Sequence, residues 1–175
     1  MKWYPFEYEG RLYSVSHLDP FEWSYTTKDE KPRKTYKFYV LFSMHCFTRN
    51  PIKGEQPSKE LLYRSRKEER VFCFERYHLS MRLPEIIRNL NERQCYHTNH
   101  ECFFTIEILS KENGLLEYEI YFDVSRAEKR GYLRLFVKSA YVRSEEYKAS
   151  RPKKRKIHFD VISYNKQNKK PIKKT

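Results

Sequence analysis

Between Leu115 and Val124 the chain alternates apolar and polar residues almost without a break. Leu116, Tyr118, Ile120, Phe122 and Val124 fall on one side, and Glu117, Glu119, Tyr121 and Asp123 on the other. A period of two is what a strand with one buried face requires. The segments around it read the same way: Cys102–Leu109 before it, then Tyr132–Val142 with Leu133, Leu135 and Val137 against Arg134 and Lys138, then Lys156–Tyr164 with Ile157, Phe159 and Val161 against His158 and Asp160. The joints are short. Asn113-Gly114 and a turn ending in Gly131 supply the positive φ that tight hairpins need. Leu79, Leu83, Ile86, Ile87 and Leu90 form one apolar stripe at helical spacing, with Pro84 confined to the first turn, so the pattern predicts a helix from about Leu79–Leu83 to Asn91. Tyr36–Ser43 is nearly all apolar and predicts a strand buried on both faces. The expectation is an α+β fold: a single domain over residues 1–164, an antiparallel β-meander of about five to six strands covered by one main amphipathic helix, followed by a basic tail, 165–175.

Charge narrows the function classes. The net charge is +13, and from Lys148 to Thr175 eleven Lys or Arg face a single acid, Asp160, leaving only +3 on the remainder. Such a field favours polyanions: RNA or other nucleic acid first, an acidic protein partner second. No run is apolar and long enough to predict a membrane span, and the first residues lack the apolar core of a signal peptide. The four cysteines form no CxxC pair, which fits reduced thiols and a cytoplasmic location. Only four glycines occur, and no phosphate-cradling glycine loop is among them, so no nucleotide cofactor is expected.

Few motifs carry specific chemistry. Cys95, His97, His100 and Cys102 have the ligand types for zinc but lack the two separated pairs of a zinc knuckle, and the bland reading is a polar strand end with no metal. Glu117, Glu119 and Asp123 fit surface ion pairs with Arg134 and Lys138 better than a Mg²⁺ site. The constellation that favours function is basic and aromatic. Arg134, Lys138, Tyr141 and Arg143 lie on or at the end of one strand, with Tyr141 opposite Lys138 unless a bulge intervenes, and His45 and Arg49 follow another strand's end. If those ends meet, Arg and Lys would hold phosphates, Tyr141 would stack a base, and His45 would transfer protons, with Lys138 and Arg143 completing a metal-independent ribonuclease site. Arg151, Lys153, Lys154, Arg155 and Lys156 add a basic run that binds phosphate without sequence choice. The bland alternative is that these side chains pair locally. The protein is then a non-enzymatic nucleic-acid- or protein-binding module, such as a regulator or inhibitor from a mobile element.

The order of a helix and then a meander ending in Tyr132-Leu-Arg-Leu-Phe-Val-Lys-Ser-Ala-Tyr-Val-Arg143 resembles the RelE/ParE/BrnT superfamily of small bacterial toxins. That resemblance implies an α+β fold, a cytoplasmic location, a neutralising antitoxin and, in the ribonuclease branches, metal-free mRNA cleavage. It covers roughly Arg70 to Tyr164. Phe42-Ser-Met-His-Cys-Phe-Thr-Arg49 and Leu79-Ser-Met-Arg-Leu-Pro-Glu-Ile-Ile87 also look like a widespread bacterial family without an assigned activity.

Overall fold

The computed structural model describes residues 2–28, 31–98, 102–111, 114–143 and 155–172. His100, Arg151, Lys153 and Lys154 therefore lie outside the described residues, as do Asn113 and the rest of the loop before Arg155. The strands are β1 (Phe6–Tyr8), β2 (Arg11–Tyr13), β3 (Phe21–Thr26), β4 (Thr35–Phe42), β5 (Thr48–Arg49), β6 (Leu62–Arg64), β7 (Glu69–Phe72), β8 (Cys95–His97), β9 (Phe103–Lys111), β10 (Gly114–Arg126), β11 (Tyr132–Val142) and β12 (Arg155–Ile157). The helices are α1 (Phe74–Ser80), α2 (Leu83–Arg88) and α3 (Phe159–Gln167).

Seven strands form the central sheet in the order β12-β8-β9-β10-β11-β4-β3. This corrects the expected five- to six-strand antiparallel meander. The sheet is mixed, because β4 lies parallel to β11, Phe38 opposite Leu133 and Val40 opposite Leu135. The meander holds for β8 through β11, whose register is antiparallel throughout. The fold is dominated by strands, and the cover is made of short pieces. The stripe expected on one long helix is split between α1, α2 and a 3₁₀ turn at Leu90–Glu92, with the break at Met81–Arg82. Leu83, Ile86, Ile87 and Leu90 are buried all the same.

The expected fourth strand is also corrected. Only Arg155–Ile157 pairs, against β8; from Phe159 the chain is helical. Phe159, Ile162 and Ser163 turn inward at helical spacing, and the Phe159 ring packs 5.4 Å from Phe38 and 5.8 Å from Trp23. The helix runs through residue 164 to Gln167, and Ile172 packs against the core beyond it.

One face of the sheet carries the core. Tyr36, Phe38, Val40 and Phe42 of β4, Leu133, Leu135 and Val137 of β11, and Tyr118, Ile120, Phe122 and Val124 of β10 all point that way. On β4 the alternation is strict, so Lys37 and Tyr39 face the other side; the strand is not buried on both faces. At Tyr121/Phe122 the register with β11 shifts, and Lys138 is the extra residue of a β-bulge. The bulge puts Arg134, Phe136, Ser139 and Tyr141 on the same face, opposite the core. Gly131, at φ +83°, closes the β10–β11 turn as the sequence predicts.

Candidate functional site

Two sites emerge at the end of β4 and β11, and only one is open. The closed one contains Arg143. Its Nη2 donates to Glu119 Oε2 at 3.0 Å, to the Tyr121 hydroxyl at 2.9 Å and to the Tyr141 hydroxyl at 3.1 Å. The Tyr121 hydroxyl donates to Glu119 at 2.6 Å. Glu119 is wholly buried, which corrects its assignment to a surface ion pair with Arg134 or Lys138. Its cover is aromatic. Tyr96, Phe104, Tyr121 and Tyr141 stack in a row across β8 to β11, with successive centroids 5.1, 5.2 and 5.8 Å apart. Burial alone would push the Arg143 guanidinium down, but the Glu119 hydrogen bonds and the charges beside it outweigh that and raise it. Arg76 lies over the far face of Tyr141 at 5.0 Å and donates to the backbone oxygens of Thr48 at 2.8 Å and His45 at 3.3 Å. Tyr141, Arg143 and the His45 backbone are thus brought together, with Arg76 as the link that sequence spacing did not show.

The open site is a cavity of about 760 Å³, lined by Lys2, Trp3, Tyr4, Ser43, Tyr63, Arg64, Ser65, Arg66, Lys67, Glu68 and Phe136. That volume is within the usual range for ligand sites, roughly 300–1,000 Å³. Its aromatic lining comes from three remote segments. Trp3 is fixed by its Nε1 donating to the Phe42 carbonyl at 3.0 Å, Tyr63 by its hydroxyl donating to the Tyr4 carbonyl at 2.8 Å, and Phe136 by β11. Burial pushes the Tyr63 phenol up to about 12, so it stays neutral. The cationic lip is the β6–β7 hairpin. Ser65 closes it: its Oγ donates to the Glu68 carbonyl at 3.0 Å and accepts from the Glu68 and Lys67 amides at 3.1 and 3.3 Å. That closure places Arg66 and Lys67 at the tip. Among the described residues neither has an ion-pair partner, whereas Arg64 is held by Glu69.

His45 does not line this cavity; it stands behind the wall, against the lining residue Glu68. It sits in a 3₁₀ turn, Met44–Cys46, whose N-terminus is capped by Ser43 Oγ accepting from the His45 amide at 3.2 Å. Its Nε2 is 2.9 Å from Glu68 Oε1, and the other Glu68 oxygen is 3.7 Å from Arg70. The carboxylate therefore orients the ring behind the cavity wall. Arg134 adjoins from the sheet, its guanidinium 4.7 Å from the Phe136 centroid.

The remaining sequence candidates go elsewhere. Arg49 is bound by Glu55 through two hydrogen bonds of 2.6 Å. Lys138 stands exposed at the bulge. Arg155 and Lys156 are on β12, at the opposite edge of the sheet. Four strand spacings separate them from β11, about 19 Å. Cys95 and His97 are buried, with Cys95 Sγ donating to the Arg93 carbonyl. Among the described residues no group of three or more His, Cys, Asp or Glu is placed to hold a metal, and no helix is long and apolar enough to cross a membrane.

No solved structure matches the chain. It is 32% identical over 168 residues to Protein YjaZ of Escherichia coli (strain K12), covering 94% of this chain and 90% of that protein. The family that matches is not the RelE/ParE/BrnT superfamily. That likeness rested on a helix-then-meander order; β8 to β11 keep it, but β11 pairs on its far side in parallel with β4, and most of the segment expected as the last strand is α3. The YjaZ family model matches residues 5–167, from the residue before β1 to the last residue of α3, and the chain belongs to that family.

Proposed function

We propose that the chain is a cytoplasmic RNA-directed binding module that takes a single-stranded segment at the Trp3–Phe136 cavity. The observation that carries this reading is an aromatic lining joined at one mouth by Arg66 and Lys67, cations that have no ion-pair partner among the described residues. Unstacked bases gain about 1–3 kcal/mol each on aromatic side chains, and Lys and Arg along the rim hold the backbone. The net charge of +13 supports a polyanionic partner. A duplex would keep its bases stacked and out of a cavity of this kind.

A toxin-like ribonuclease is the second reading, favoured by one feature: Glu68, which lines the same cavity, is paired with His45, a side chain able to transfer protons. It ranks second because Arg143, the cation expected to stabilise the phosphorane, is taken up by Glu119.

The test is fluorescence anisotropy of a labelled unstructured RNA across a salt series, with Arg66→Gln/Lys67→Gln as the variant. Loss of two phosphate contacts should lower the slope of log affinity against log salt by about 1.4, at about 0.7 per phosphate for single strands. Unchanged affinity and slope would overturn the cavity assignment. Gels of the same samples separate the two readings: intact RNA supports binding alone, and cleavage that His45→Ala abolishes supports the ribonuclease.

A further inference from the structure

We infer that the ligand continues out of the cavity along the open face of β3, β4 and β11, so that the site takes an extended single-stranded RNA segment of about three or more nucleotides rather than a mononucleotide, at the roughly 3.3 Å rise per strand residue that sets the rows below. This rests on the reading of the cavity as an RNA site and adds the length and path of the RNA.

Phe136 is shared between the two surfaces. It lines the cavity, and it also belongs to a ladder of residues facing away from the core. In that ladder Leu41 is opposite Phe136, Tyr39 opposite Arg134, and Lys37 opposite Tyr132. Because β4 and β11 are parallel, these pairs form three rows, each about 6.6 Å from the next. They succeed one another along β4 and β11, starting from Phe136 at the cavity, on the scale of one extended nucleotide per row. Tyr39 is 39% exposed, a large aromatic face left open beside Arg134. Lys37 is exposed, with its Nζ 6.0 Å from the Tyr132 ring, and Lys129 approaches the same ring at 4.0 Å. Among the described acids of this face, two sit directly opposite residues of the rows. Glu22 accepts from Lys129 at 3.0 Å and from the Tyr132 hydroxyl at 2.9 Å, so its charge is already matched. Asp123 is opposite Phe136 on β10, half-buried. The path that remains, Lys37, Tyr39 and Arg134, alternates cation and aromatic as a phosphate–base repeat requires.

The experiment uses the full chain and a length series: uridine monophosphate, then uridine oligonucleotides of three, six and ten residues, followed by Trp fluorescence and anisotropy. Affinity should rise more than tenfold between the mononucleotide and the short oligonucleotides and then level off. Lys37→Gln/Tyr39→Ala changes two exposed residues that do not line the cavity. It should weaken the oligonucleotides several-fold and leave the mononucleotide unchanged, with an unaltered melting curve. Arg66→Gln/Lys67→Gln should weaken both. If the sheet-face variant binds every length as wild type does while the cavity variant loses binding, the path is overturned and the cavity reading stands. If no length binds the wild type, the cavity reading falls and the path with it.

Discussion

Replacing Arg143 by Met isolates the energetics of the closed site. Glu119 is wholly buried and the Arg143 side chain is 8% exposed, so their ion pair is screened little by water. The substitution keeps the side-chain bulk and removes the donors that reach Glu119, Tyr121 and Tyr141. Glu119 keeps the Tyr121 hydroxyl but loses the Arg143 charge in a buried position. Breaking one side of a buried pair costs about 3–5 kcal/mol, a large share of the roughly 5–15 kcal/mol that holds a domain folded. Urea unfolding at neutral pH should show that loss as a lower midpoint with an unchanged slope. Two controls sharpen it. The deficit should shrink as pH falls, because a proton on Glu119 removes the buried charge that Arg143 balanced. Glu119→Gln/Arg143→Met should recover more than half the loss, since no ion remains to be buried. A loss below about 1 kcal/mol, the range for exposed pairs, would refute the reasoning and mean that water reaches Glu119.

Other outcomes follow from the same structure. Phe159→Ala should cost about 3–5 kcal/mol by chemical denaturation, because the ring packs among Trp23, Tyr25, Phe38 and Phe122; a neutral result would place α3 outside the core. Glu55 is held down to about 2 by the Arg49 hydrogen bonds and the Ile52 amide. Its folded-state value is depressed, so its contribution is present above the ordinary carboxylate range and is lost as pH falls from there toward about 2. Carboxylate chemical shifts should put the Glu55 midpoint near 2, and an ordinary midpoint would dissolve the Arg49–Glu55 tie. Burial pushes the Cys46 and Cys95 thiols up to about 12. A thiol reagent should therefore label part-exposed Cys73 first in the native protein, Cys102 more slowly because burial raises its thiol too, and the other two only on unfolding; equal rates at all four would contradict the packing.

The local parts of this fold were legible where one strand reports its own surroundings. Tyr118, Ile120 and Phe122 declare a buried face whatever lies across from them, and Leu83, Ile86 and Ile87 declare a helical stripe. What could not be read was pairing at a distance. Nothing in Tyr36–Phe42 says that it will lie parallel to residues almost a hundred positions later. Phe159 was misread because Ile157, Phe159 and Val161 satisfy a strand, while Phe159, Ile162 and Ser163 satisfy a helix; three residues do not separate the two periods. Glu119 sits on the polar phase of its strand, and its burial beside Arg143 and the aromatic row depends on neighbouring strands. The bulge at Lys138 was foreseen only as the condition that would bring Tyr141 to the side of Arg134. The cavity had no sequence signature, because Trp3, Tyr63 and Phe136 converge from three distant segments. The basic stretch Arg64-Ser-Arg-Lys67 belongs to it only because Ser65 closes the hairpin, a contact that spacing does not announce.

The parallel pairing of β4 with β11 also sets the order in which the molecule can be assembled. On the ribosome, β3 and β4 are made early and can form a hairpin, but one edge of that aromatic-rich hairpin stays open until residues 132–137 emerge. At about 5–20 residues per second, the wait is several seconds or more, with Phe38, Val40 and Phe42 uncovered. Closure of so long a loop belongs to the slow, non-local class of folding events. Newly made chains are therefore most exposed to edge-to-edge association, and most dependent on holding factors, in the interval before the last quarter of the sequence appears.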